Sequence, residues 1–298
     1  SMATPNAACT FANLLQYLTE KGVNDKQERA ELARNLMLSS ATPLGGIDED
    51  NSAWFYSVRK QGAGMANSEN AMITYEESAY LTNPLQELGD DAEKTGIYEM
   101  TLTLRNDTNG DVAMMPVGYA LIDATEEDEE SGIRYNTMYS DLYGTMGRSG
   151  VTFAYKDQTG SEFGDLETFV VPANSEVDIQ VTITLDADLK KQLDDTFPNG
   201  TYVEGYVNFV DSDTMDRTNG TTATYLAYYG DWTQAPVLEA QDFRDFLEYD
   251  YLAGTTVVDE DGNAYADHGY TGFDFMEFYT HPNMAFTATT SKSRVWYL

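Results

Sequence analysis

The chain has 298 residues, of which 42% are hydrophobic and 22% charged; that balance supports a packed core and room for two ordinary domains, and excludes disorder along the whole length. Asp and Glu number 50 against 17 Lys and Arg, a net charge of −33, so phosphate backbones and anionic bilayers are repelled and nucleic acid is excluded as a partner. No run approaches the roughly 18 apolar residues of a membrane-spanning helix, and a single cysteine, Cys9, leaves no disulfide framework.

The first element is a helix over 7–21. Phe11, Leu14, Leu15 and Leu18 recur at helical spacing, Pro5 suits the first turn, where its missing N–H costs nothing, and Gly22 ends it. Cys9 reads as a small core residue on that helix. Asp25-Lys26-Gln27-Glu28 has the spacing of a capping box and opens a second helix, with Ala30, Ala33, Leu36 and Met37 on one face. Pro43 and Gly45-Gly46 close the helical stretch, which spans 1–66.

From about residue 72 to residue 240 the period changes from 3.6 to 2. Tyr98–Leu104, Val177–Leu185 and Tyr202–Val210 alternate apolar and polar positions, the last entered through Pro198-Asn199-Gly200. Short alternating runs between Asn/Asp/Gly turns predict an antiparallel β-sandwich. Leu189 and Leu193, four apart, predict one or two helical turns within Asp186–Asp195. The acidic stretch 123–165, with Glu126-Glu127-Asp128-Glu129-Glu130 and then Tyr135, Tyr139 and Tyr143, is expected to be a long decorated loop. Past 241, Thr255–Val258 and Ala264-Tyr265 flank an Asp-Gly turn and predict a hairpin. The apolar Val295-Trp296-Tyr297 just before Leu298 suggests a further β domain cut short.

The opening Ser1-Met2-Ala3-Thr4-Pro5-Asn6 resembles the Gly-Thr-Ser-Met-Ala-x-Pro segment around the nucleophile of subtilisin-like proteases. Ala33–Pro43 resembles the helix and Ser-x-Ala-Thr-Pro run that follow that nucleophile, and Tyr56–Asn67, with Arg59-Lys60-Gln61-Gly62-Ala63-Gly64, resembles the segment that closes the catalytic domain. Phe197–Val207 is similar to a strand of the fibronectin type III-like domain that comes next in cell-envelope serine proteases of the lactocepin type, and Tyr228–Leu238 resembles the segment that ends that domain. The order of all five blocks matches that family.

The resemblance implies a mixed fold: a short helical remnant of a subtilisin-like α/β peptidase domain over 1–67, a mainly antiparallel fibronectin type III-like β-sandwich over 68–240, and a partial β region over 241–298. It implies that Ser1 is the catalytic nucleophile. A serine nucleophile needs a base, a group orienting that base and oxyanion donors. The family's Asp, His and oxyanion Asn precede the serine, so this chain is expected to hold none of them and to be inactive alone. Its histidines, His268 and His281, stand far downstream and have no counterpart in the family's site. The implied parent is a secreted or cell-surface bacterial endopeptidase acting on a protein or peptide substrate. A different class, a non-enzymatic extracellular module whose β domains bind proteins or glycans, would use the tyrosines at 135–143.

No cofactor is expected. Calcium is a candidate at two runs of oxygen ligands: Asp211, Asp213, Asp216 and Asn219, and Asp259, Asp261, Asn263 and Asp267. Neither fits EF-hand spacing, since Thr222 and Tyr270 stand where a bidentate Glu would be. Acidic turns account for both runs.

Overall fold

The computed structural model describes residues 2–47, 53–127, 134–212, 220–233, 255–258 and 264–267. It divides into two units, Ser1–Trp232 and Thr233–Leu298.

The first unit begins with helices α1 (Ala3–Glu20) and α2 (Lys26–Ser39). α1 ends as the sequence indicates. Gly22 takes a left-handed φ of 91°, the Gly22 N–H donates to the Thr19 carbonyl and the Val23 N–H reaches back to Leu18, which is a Schellman stop. Asp25 caps α2, its carboxylate accepting from the backbone N–H groups of Gln27 and Glu28 at 2.9 Å each. Then come β1 (Gly45–Ile47), β2 (Ala53–Phe55), the short helix α3 (Val58–Gln61) and α4 (Ser68–Glu77), capped by Asn67. Leu14, Leu18, Ala33, Leu36, Ala71 and Tyr80 form a small core where α1, α2 and α4 meet the sandwich.

The sandwich strands are β3 (Tyr80–Leu81), β4 (Leu85–Asp90), β5 (Ile97–Asn106), β6 (Val112–Glu127), β7 (Arg134–Tyr143), β8 (Val151–Asp157), β9 (Glu162–Gly164), β10 (Phe169–Val171) and β11 (Ser175–Leu185). Helix α5 (Ala187–Thr196) follows, then β12 (Thr201–Asp211) and β13 (Thr221–Tyr229). One sheet runs β3-β5-β11-β8-β9. The other runs β1-β2-β7-β6-β12-β13-β4, with β10 also paired to β6. All pairs are antiparallel except β13 with β4. Between the sheets, Leu102, Ile179, Val181 and Phe153 face Met114, Val207, Phe209 and Tyr225 in one continuous core. α5 closes an end of it with Leu189 and Leu193, and Asp186 caps that helix.

An antiparallel sheet commonly leaves one face to water. Here β6 and β12 are buried on both faces for most of their length. Phe55 and Val58 lie against Val117, Tyr119, Leu121, Leu142 and Tyr206 on the outer side of the larger sheet. The segment after the helices therefore serves the sandwich twice, adding β1 and β2 to its sheet and covering its back.

Residues 123–165, expected as a loop, are instead β7, β8 and β9 over most of the described part of the stretch. Val151, Phe153 and Tyr155 alternate inward on β8, and β7 pairs with β6 from Ala120↔Tyr143 to Glu127↔Arg134. Cross-strand pairing overrode an acidic composition that suggested a surface loop. In the second unit, β14 (Thr255–Val258) pairs antiparallel with β15 (Ala264–Asp267), the hairpin read from the sequence.

Candidate functional site

Ser1, the nucleophile implied by the resemblance, lies outside the described residues, as do His268 and His281. The helix after Ser1 is well defined. Its N-cap is Met2, which offers no side-chain acceptor. Residues 2–9 are exposed on every side, and burial starts only with Phe11 and Leu14. Cys9, expected in a core, is exposed. Amphipathic spacing marked the correct face of α1, but among the described residues nothing buries that face in its first two turns.

The blocks at 33–43 and 56–67, which resemble protease segments, fold onto one another. Thr42 and Met65 exchange backbone hydrogen bonds of 2.9 and 2.8 Å. Gly64, at φ 110°, lies so close that a Cβ there would stand 2.2 Å from the Thr42 carbonyl oxygen. The Gln61 side chain accepts from the Leu44 N–H at 2.6 Å and donates to the carbonyls of Leu44 and Tyr56. Gln61 and Gly64 of the Arg59–Gly64 run thus tie Thr42 and Leu44 to Tyr56 and Met65.

Arg59 joins that segment to the sandwich. Its Nε and Nη2 both donate to Glu204 Oε1 at 3.1 Å, and its backbone N–H donates to Oε2 at 3.1 Å. Nη2 also donates to Asp123 Oδ1 at 2.5 Å. The guanidinium lies 3.9 Å from the centre of the Tyr202 ring, a cation–π contact. Tyr206 Oη donates to the Gly62 carbonyl at 2.8 Å. Next to Glu204, Gly205 allows β12 to approach β6, since a Cβ there would stand 2.0 Å from the Tyr119 carbonyl oxygen.

Glu204 is wholly buried in the middle of an apolar strand. Burial pushes its carboxyl above the ordinary value, and the neighbouring Arg59 pulls it back only in part. Burial alone would lower Arg59, but Glu204 and Asp123 hold its guanidinium above its ordinary value. A buried carboxylate with three charge-assisted hydrogen bonds is tolerable only while its partner stays in place. The arrangement suits positioning and supplies no proton-transfer chemistry.

The sequence reading missed this pair. Glu204 reads as an ordinary polar position of the alternating run Tyr202–Val210, and its partner stands 145 positions away. Trp232 is 57% exposed and rests against Tyr202 and Tyr228. No group of three or more His, Cys, Asp or Glu is arranged to hold a metal among the described residues. Most of both candidate calcium runs lies outside them.

The class of the sandwich follows from comparison. Residues 86–219, from β4 to just past β12, match the Fn3-like domain family. The relatives are bacterial peptidases. A C5a peptidase of Streptococcus pyogenes is 28% identical over 304 residues, covering 99% of this chain and 22% of the relative. A PII-type proteinase of Lacticaseibacillus paracasei is 24% identical over 253 residues, covering 80% of this chain and 12% of the relative. A PI-type proteinase of Lactococcus lactis subsp. cremoris is 25% identical over the same length. The chain carries an Fn3-like domain, is related to proteinases of this kind over most of its length, and spans under a quarter of the length of these relatives.

Proposed function

We propose that this chain is the part of a secreted or cell-surface subtilisin-like serine endopeptidase that runs from the nucleophile into the accessory β domains. In that reading Ser1 attacks the scissile carbonyl of a protein or peptide substrate. The histidine that takes its proton, the aspartate that orients the histidine and the oxyanion asparagine belong to sequence before Ser1. Residues 1–67 end the peptidase domain, 68–240 form the Fn3-like sandwich and 241–298 begin a further β domain.

The observation that carries this reading is the exposed front of α1. Ala3, Ala7, Ala8 and Cys9 are small or apolar and exposed, directly after the residue implied as nucleophile, on a helix whose second half is packed. A helix of small residues suits burial inside a larger domain, with its positive N-terminal end toward the charge that develops on the oxyanion. Relatives named as peptidases and matching nearly the whole chain support the same assignment. The Arg59–Glu204 joint would then hold the Fn3-like sandwich to the peptidase part as one body.

The chain alone should not hydrolyse an unstructured casein substrate. The same chain preceded by its upstream Asp- and His-bearing region should do so, and Ser1→Ala should abolish that activity. Turnover by the chain alone, or turnover of the longer protein surviving Ser1→Ala, would overturn the assignment.

A further inference from the structure

A group of aromatic and apolar side chains stands exposed at the β1 end of the larger sheet. Trp54 on β2 packs against Tyr139 on β7 with ring centres 4.3 Å apart, and Tyr56 closes the triangle at 5.3 and 5.8 Å. Of the three, Tyr139 is 43% exposed; Met138 beside it on β7 is 64% exposed, and Ile47, 70% exposed, stands across from Ala53 on the face of β1 opposite Trp54. Single exposed apolar residues need no explanation, but several gathered on one free sheet edge mark an interaction surface.

The backbone there is prepared as well. β1 ends the sheet, and no strand pairs with its outer side among the described residues. Its glycines are sterically required: a Cβ on Gly46 would stand 2.6 Å from Trp54 Cζ2, and one on Gly45 would stand 2.3 Å from the Trp54 carbonyl oxygen. The Tyr56 N–H donates to the Leu44 carbonyl. By the alternation of antiparallel pairing, the N–H and C=O groups of Gly45 and Ile47 then turn away from β2. An unpaired edge beside an aromatic surface is the arrangement that accepts an added strand: main-chain hydrogen bonds hold the incoming segment and its alternate side chains meet the rings.

Charge selects the occupant. Of the cations near the patch, Arg59 is held by Glu204 and Asp123 and Arg148 pairs with Asp141, whereas Lys60 Nζ donates to the neutral Met138 carbonyl at 3.1 Å and keeps its charge. On β6, Glu126 stands across from Tyr135 and Glu127 across from Arg134, and the chain as a whole carries −33. Such a field attracts cations and disfavours acidic segments.

We infer that the β1 edge and the Trp54–Tyr56–Tyr139 surface bind an extended, basic stretch of polypeptide that carries aromatic or aliphatic residues at alternate positions. The binding goes beyond the proposed function; only the identity of the bound segment as protein substrate rests on that reading.

Binding is measured with the full chain and without hydrolysis, so its failure is distinct from a failure of the protease assignment. The probe is a fluorescent peptide alternating Lys with Phe and Thr, compared with the same peptide carrying Glu for Lys. The Lys peptide should bind and should weaken as salt rises from about 50 to about 300 mM. Trp54→Ala should weaken it about tenfold. The pair Met138→Ser with Tyr139→Ser, on a strand anchored by β6, should do the same with an unchanged melting temperature, while Trp232→Ala in the other aromatic group should have no effect. Four results would each overturn the inference: no binding of the Lys peptide, equal binding of the Glu peptide, indifference to both patch variants, or self-association of the chain that the patch variants abolish, which would assign the surface to a second copy.

Discussion

Strand β11 and helix α1 are both strongly patterned, yet they spend their apolar residues differently. On β11, Val177, Ile179, Val181, Ile183 and Leu185 are all buried, because β5 and β8 flank the strand and the opposite sheet covers it. On α1, 18 residues long, only Leu14 and Leu18 are fully buried. The sandwich satisfies itself, while α1 is finished only in its second half. Periodicity therefore states which face of an element wants a neighbour, and the rest of the chain decides whether it has one.

The largest effect should come from the self-contained part. Phe209, fully buried against Phe169, should cost about 4 kcal/mol as Phe209→Ala, read by denaturant unfolding; a loss under about 1 kcal/mol would mean that the two sheets pack less tightly than described. Arg59→Ala comes next. It strands a buried carboxylate, at about 3 kcal/mol, toward the low end of that range because Arg59 is itself partly exposed. A loss limited to a few tenths would place the joint among ordinary surface pairs.

A smaller effect concerns pH. A carboxyl whose pKa is higher in the fold than in the unfolded chain binds its proton more tightly when folded. Its contribution is complete below the ordinary value of 4.5 and is lost as pH rises through the raised value. The melting-temperature advantage of the parent over Glu204→Gln should therefore shrink as pH rises from 4.5 toward neutrality. An advantage that grows over that window would show that Arg59, not burial, dominates Glu204. The smallest effect belongs to the front of α1: Ala8→Ser should change stability by no more than about 0.5 kcal/mol, because the site is exposed. A larger loss would mean that the front of α1 is already covered.

The parts legible in the sequence were those set by neighbours in the chain. Asp25 before α2, Gly22 after α1, the alternation of β11, the Leu189–Leu193 spacing on α5 and the pairing of β14 with β15 follow from local signals. The parts that were not legible depend on distant partners. β7 reads as a loop because its described side chains before Ser140 are largely exposed, which erases the in-out pattern, and only the pairing with β6 makes it a strand. β2 is three residues long and has meaning only as the neighbour of β7. Cys9 stands nine residues before Leu18, about half a turn around α1 from the face that Phe11, Leu14 and Leu18 share, so residue type suggested a core position where helical spacing does not. For the candidate site, the blocks that resemble a protease were visible, but their physical work was not. Arg59 and Glu204 look like two unrelated charges until the fold brings them together, and Gly205 reveals its purpose only beside Tyr119.

The central claim is that α1 is built to be covered by a domain that the sandwich does not supply. Hydrogen exchange compares this chain with the same chain preceded by the upstream protease region that the proposed function implies. The account predicts fast exchange across the first two turns of α1 in the chain alone, slow exchange there in the longer protein, and unchanged protection of β11 and β12 in both. Equal and strong protection of α1 in the chain alone, or no gain in the longer protein, would contradict it.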